Sequence, residues 1–321
     1  MVCVVGPFFV AGTGRCGTSQ MRQVLGEHPD VHALLWEARF VVDPGGFEDL
    51  ARALTTSYTP YHADDALRRL AWLLTERLTG RTAEAFRGWG LAEELGAERY
   101  RLAVDRLWER LVWYDFDEVV PPASYRWGGS AYAPGEVRSH RRTVGRYYPQ
   151  REELIGVLRD FIDELFGVAV HRSGKRTWCE KTPLNLLSIP FLWELFPEAR
   201  VVVMVRHPRQ VVGSYQDQPW APSSLEDVLG WLEPIYRRWL GQRPGLLNDE
   251  RYVEVRVEAL AGRWKTRRPK LFERLGLPDA ETQSGFTSDR LRRPDCDLLP
   301  DERDMITSRL GWAVEALGYE P

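Results

Sequence analysis

Apolar positions follow two rhythms along this chain. The first is the short unbroken run. Pro7-Phe8-Phe9-Val10-Ala11 and Val201-Val202-Val203-Met204-Val205 have no polar residue, as strands buried on both faces of a parallel sheet require. Thr177–Glu180 and the alternating Tyr252–Val257 predict two more strands. The second rhythm places apolar residues three and four apart. It predicts a helix after residue 18 running to about His28, then helices over Phe47–Leu54, Ala63–Leu78, Tyr100–Trp113, Arg151–Phe166, Phe191–Phe196, Leu225–Leu240, Arg268–Leu275 and Asp301–Leu317. Residues 116–150 carry Pro121-Pro122 and Trp127-Gly128-Gly129 and read as one long loop. Strands alternating with helices imply an α/β fold, a parallel sheet flanked by helices.

Composition narrows the function less than the pattern does. With 321 residues, 44% of them hydrophobic, the chain can bury the core of one large domain or a domain plus an insert. A net charge of −3 gives no bulk attraction for nucleic acid. No stretch approaches the length of a membrane span. Met1–Val10 lacks a basic leading region and reads as the first buried strand rather than a signal peptide, so the expected location is cytoplasmic. The cysteines Cys3, Cys16, Cys179 and Cys296 have no metal-ligand spacing, and no metal is expected. Lysine occurs only as Lys175, Lys181, Lys265 and Lys270, which singles out Lys181 for the motif it lies in.

The chemistry concentrates in a glycine loop. Gly12-Thr13-Gly14-Arg15-Cys16-Gly17-Thr18-Ser19 has the G-x-x-x-x-G-x-[ST] spacing between a strand and a helix. Glycines let backbone N–H groups approach an oxyanion, and the helix N-terminus adds positive partial charge. A nucleoside-triphosphate hydrolase has lysine where Thr18 stands; here the positive charge is Arg15, inside the loop.

Gly14–Ser19 resembles the 5′-phosphosulfate loop of the Golgi-type and bacterial sulfotransferases, with Cys16 in place of the usual serine. Three further blocks agree. Val201–Pro208 followed by Ser214 resembles the family's 3′-phosphate motif; Glu180-Lys181-Thr182-Pro183 resembles its K-[TD]-P segment. His28-Pro29-Asp30-Val31 with Glu37-Ala38-Arg39 resembles the stretch carrying the catalytic Glu of the tyrosylprotein type, offset by an insertion at Leu34-Leu35-Trp36. The resemblance covers the first forty residues and about 175–320. It implies a single domain over 1–321, in which 46–150 form a helical and loop-rich insert shaping the acceptor site.

What the resemblance implies is sulfuryl transfer from 3′-phosphoadenosine 5′-phosphosulfate (PAPS) to a hydroxyl, less readily an amine, of a small-molecule or glycan acceptor, as in specialised metabolism. Gly14, Arg15, Cys16, Gly17, Thr18 and Ser19 would hold the 5′-phosphosulfate, with Arg15 also on the reacting group. Arg206 and Ser214 would hold the 3′-phosphate. Glu37 is the candidate general base and Lys181 a stabiliser of charge at the leaving group. Glu37 could instead simply pair with Arg39, and Lys181 with Glu180; His28 and His32 are rival bases, although the His-Pro turn at His28 favours a structural role. Asn185 would cap or touch acceptor. Relatives often carry Tyr-Glu where Val257-Glu258 stands, so Tyr252 is a candidate substitute. Arg290, with Arg292 and Arg293 as alternatives, would close over the nucleotide, and Trp127, with Tyr125 and Tyr132, would face the acceptor. A second copy of the chain is a further candidate partner. Two other readings stay open: a P-loop kinase, and a nucleotide-binding protein without catalysis.

Overall fold

The computed structural model describes residues 6–77, 90–120, 138–287 and 299–320. Along the chain run β1 (Phe8–Gly12), α1 (Thr18–Glu27), β2 (Val31–Ala33), α2 (Phe47–Ala53), α3 (Pro60–Trp72), α4 (Leu91–Leu95), α5 (Ala97–Leu111), β3 (Val112–Val120) and β4 (Arg138–Gly145). Then follow α6 (Arg151–Ser173), β5 (Thr177–Lys181), α7 (Ile189–Leu195), β6 (Arg200–Val205), α8 (Pro208–Gln216), α9 (Leu225–Leu246), β7 (Tyr252–Arg256), α10 (Val257–Leu260), α11 (Trp264–Arg274) and α12 (Pro300–Ala316). They form two compact units: Met1–Val42 with Phe166–Pro321, and Asp43–Leu165.

The first unit is built on a five-stranded sheet of order β2-β5-β1-β6-β7. Every neighbouring pair is parallel. All five residues of β1 are buried, and so are Val201–Val205 of β6, which is what their unbroken apolar runs require. Trp178 of β5 lies edge-on to Phe9, Phe166 and Phe196, at centroid distances of 5.3, 4.9 and 5.3 Å. This tryptophan is core. α1 turns Met21, Val24 and Leu25 inward at helical spacing.

The second unit holds α2 to α5, most of α6 and an antiparallel hairpin of β3 and β4. Here the predicted long loop is wrong over the described residues: β3 and β4 are paired strands, with Phe116 opposite Arg142 and Glu118 opposite His140. The helix expected over Tyr100–Trp113 stops at Leu111, and Trp113 belongs to β3, at a register irregularity. Asp64 of α3, 3% exposed, ties that helix to the hairpin. It accepts from Arg68 Nε at 3.0 Å, Arg142 Nη1 at 2.8 Å and the Thr143 amide at 2.9 Å. These donors hold the Asp64 carboxyl below its ordinary range, although its burial acts the other way.

Candidate active site

The site residues of the first unit gather at the C-terminal ends of the strands. Chain order reverses beside β1: β5 flanks it on one side and β6 on the other. Open α/β sheets bind ligands at such a switch point. The glycine loop leaves β1 there and enters α1. Gly14 and Gly17 have φ of 84° and 88°, and Arg15 itself sits at φ 53°. Three left-handed residues in four turn the chain sharply between β1 and the start of α1. Gly17 caps α1 without a side-chain hydrogen bond, and no acidic residue occupies its first turn. An anion is the matching ligand for such a helix start.

Arg15, Arg206 and Ser214, distant in sequence, meet here. Arg15 Nε donates to Ser214 Oγ at 3.1 Å. Arg206 Nη1 donates to the Arg15 carbonyl at 3.0 Å, and its Nε to Gln210 at 3.1 Å. Arg206 follows β6 directly, and His207 then caps α8 through a bond from the Arg209 amide. That cap, with Pro208 in the first turn, starts the helix that carries Ser214 back toward the loop. Ser19 and Arg15 are exposed, whereas Thr18 and Cys16 are buried. Burial pushes the Cys16 thiol up to about 11, and its sulfur lies inside the loop, where a β-carbon on Gly12 would meet it at 2.4 Å. Cys16 can therefore offer a ligand its backbone alone.

Glu37 and Lys181 form a second group. Lys181 Nζ donates to Glu37 Oε1 at 2.5 Å, and Arg39 Nη1 to Glu37 Oε2 at 3.1 Å. Lys181 thus pairs with Glu37, not with Glu180. Tyr215 packs against the glycine loop. Burial raises its phenol, the neighbouring Cys16 adds to that, Arg15 opposes it, and Glu37 adds least. Its hydroxyl donates to the Thr13 carbonyl at 2.9 Å.

Glu180 has a role that the sequence did not signal. It is 2% exposed and accepts from the Ala38 amide at 3.0 Å, Thr182 Oγ1 at 2.6 Å and Asn185 Nδ2 at 2.8 Å. Burial pushes its carboxyl up to about 7, assisted by the nearby Glu37 and opposed by Thr182, Ala38 and Lys181. A carboxylate that serves only neighbours inside the fold leaves no pattern in sequence. Asn185 accordingly holds Glu180 and is not an acceptor contact.

Other expected residues fall elsewhere. His28 is fully buried: its Nδ1 accepts from the Asp30 amide at 3.0 Å, leaving Nε2 to donate to the Pro278 carbonyl at 2.9 Å. It is a turn residue, not a base. His32 lies in β2 opposite Trp178, and burial first, then Lys175, lowers its pKa. Tyr252 is 4% exposed, with its hydroxyl on Glu254 at 2.6 Å, and so is core. Glu258 accepts from the His207 amide and the Tyr319 hydroxyl, both at 2.9 Å, and fixes the turn after β6. Arg290, Arg292, Arg293, Tyr125, Trp127 and Tyr132 lie outside the described residues.

Residues 130–281 match a family model described as the sulfotransferase family. That stretch is just under half of the chain, and over it the chain is similar to the sulfotransferase family. It includes Lys181, Arg206 and Ser214; the glycine loop and Glu37 precede it. No curated protein matches the chain. Solved structures similar to it include sulfotransferase STF9 from Mycobacterium avium, 14% identical over 99% of this chain and 78% of that one, TM-score 0.45. Another is the sulfotransferase domain of the Synechococcus PCC 7002 olefin synthase, 15% identical over 98% and 88%, TM-score 0.47. No described helix is long and apolar enough to cross a membrane.

Proposed function

We propose that the protein is a sulfotransferase that uses PAPS as donor and transfers its sulfuryl group to a hydroxyl of a small-molecule or glycan acceptor. The observation that carries the reading is the convergence of Arg15, Ser214 and Arg206 at the switch point, beside an uncapped helix start. The donor set fits an oxyanion: the amides at the uncapped start of α1, the exposed Arg15, and the Thr18 and Ser19 hydroxyls. Arg206 and Ser214 would take the second anionic end, the 3′-phosphate that separates this donor from ATP.

The donor supplies an already activated sulfuryl group, so the protein's tasks are holding, charge neutralisation and proton removal. Glu37 takes the proton of the acceptor hydroxyl as that oxygen bonds to sulfur. The bond from sulfur to the 5′-phosphate oxygen breaks, and Arg15 and Lys181 face the charge that returns to that oxygen. Lys181 is already bonded to Glu37, so the acceptor hydroxyl competes with it for one carboxylate oxygen. An enzyme of specialised metabolism acting in the cytoplasm fits this reading.

Thermal stabilisation by adenosine 3′,5′-bisphosphate, ATP and AMP tests it. The bisphosphate at a hundred times its dissociation constant stabilises the fold by about 2.7 kcal/mol. Ser214→Ala weakens that stabilisation without touching the bond from Arg206 to the loop. Equal or stronger stabilisation by ATP refutes the reading. Glu37→Gln abolishes turnover and leaves bisphosphate binding intact; normal turnover in this variant refutes the base assignment.

A further inference from the structure

We propose that Glu180 is a positioning residue: its buried carboxylate clamps the backbone at Ala38 and Arg39, and thereby sets where Glu37 stands against Lys181. The geometry is specific. One oxygen of Glu180 takes both the Ala38 amide and the Thr182 hydroxyl; the other takes Asn185. The Thr182 oxygen in turn accepts from the Arg39 amide at 3.3 Å. Two consecutive amides just after Glu37 are therefore held by one network rooted at the end of β5. Lys181, the partner of Glu37, lies between the two anchors Glu180 and Thr182 in the same stretch of chain.

The loop needs such a clamp. Arg39 is in the left-handed region at φ 53°, which an L side chain adopts only when its surroundings impose it. On the other side of Glu37 the chain is tied as well. The Leu34 amide donates to the Cys179 carbonyl at 2.9 Å, and Arg22 Nη1 to the Leu34 carbonyl at 3.1 Å. Residues 35–37 therefore span two fixed points, with Leu35 66% exposed and Glu37 turned onto Lys181. Removing Glu180 frees one of those points and leaves the other.

The catalytic consequence rests on the sulfotransferase reading; the clamp itself does not. Hydrogen exchange of the peptide spanning 34–40 reads the clamp without any turnover. In Glu180→Ala it accelerates by about tenfold or more while the α1 peptides stay as in wild type. With saturating PAPS, kcat falls by about 100-fold, the scale of an ångström of misplacement, and the dissociation constant for adenosine 3′,5′-bisphosphate stays put. Glu180→Gln keeps both acceptor bonds, with the Asn185 amide turned over to accept from it, and restores kcat to near wild type. Thr182→Val loses the Arg39 anchor and the hydroxyl bond to Glu180 but keeps the Ala38 anchor, and falls between; it carries the test if Glu180→Ala does not fold. Unchanged exchange of 34–40 in both variants overturns the clamp. Faster exchange with unchanged kcat, or Gln failing as Ala does, overturns the positioning role. A wild type with no turnover refutes the sulfotransferase reading instead, and exchange alone then decides the clamp.

Discussion

Gly14 faces the hydroxyl of Tyr215 so closely that a β-carbon there would stand 2.1 Å from it, at a φ of 84° that already disfavours a side chain. Gly14→Ala therefore carries two costs, a left-handed backbone and a displaced tyrosine, about 2–4 kcal/mol together. Urea unfolding with Tyr215→Phe checks this. The phenylalanine alone costs about 1 kcal/mol by leaving the Thr13 carbonyl unpaired, and the double variant costs less than the sum of the two. Strict additivity would mean that the two residues do not meet. The glycine spacing was readable because backbone conformation restricts residue type. Arg15, Arg206 and Ser214 were readable as matches to a spaced motif, and the structure adds that they touch. Cys16 looked like a loop ligand because spacing says nothing of which way a side chain turns. His28 was legible as structural from its His-Pro turn, which the structure bears out. Glu180 was not, because its partners, the Ala38 amide, Thr182 and Asn185, come together only in the fold.

At the level of elements, the parallel strands were the most legible, since burial on both faces forbids polar residues. β2 has three residues and was missed; a strand that short has no period to detect. α9 passes through Pro234, as the expected span Leu225–Leu240 already did, and runs on through Pro244 to Leu246. Packing of Leu232, Tyr236, Trp239 and Leu246 outweighs the amide bonds those prolines forgo. The end of α1 shows the reverse case, a terminus fixed from outside. Lys175 Nζ donates to the carbonyls of Gly26, His28 and Val31 at 2.6, 2.9 and 2.8 Å. A charged donor on the carbonyl end of a helix is favourable, and here it also closes the turn into β2. Lys175→Met keeps the stem and removes the donors. It costs about 2–3 kcal/mol in chemical denaturation and speeds exchange at 26–31. A change below 0.5 kcal/mol, the scale of an ordinary surface substitution, would show that water replaces the lysine.

The whole molecule joins two units whose buried carboxylates answer pH in opposite directions. Asp64 belongs to Asp43–Leu165, and its carboxyl is held below the ordinary range. A lowered folded pKa gives stability that is present above the unfolded value and lost as pH falls through the folded one. Glu180 belongs to the unit with the parallel sheet, and its carboxyl is raised to about 7. A raised folded pKa gives the opposite: its contribution is complete below the unfolded value and is lost as pH rises toward and through 7. Asp64→Asn therefore costs most near neutral pH, about 3 kcal/mol, because it strands Arg68 and Arg142 without their charge partner. That cost shrinks as acid protonates the wild-type aspartate below about pH 4. Glu180→Gln behaves inversely. It resembles wild type near pH 4.5, where both side chains are neutral in the fold, and gains on it as pH rises to 8, where wild type must hold a charge in a buried place. Melting temperatures of wild type and both variants from about pH 2 to 8 read the two slopes, that of Asp64 in the acid part and that of Glu180 above about pH 4. A Glu180→Gln difference that stays flat above about pH 4 would mean that this carboxyl titrates in the fold as it does in the unfolded chain. Lys181 and the hydrogen bonds to Glu180 would then offset both its burial and the repulsion of Glu37.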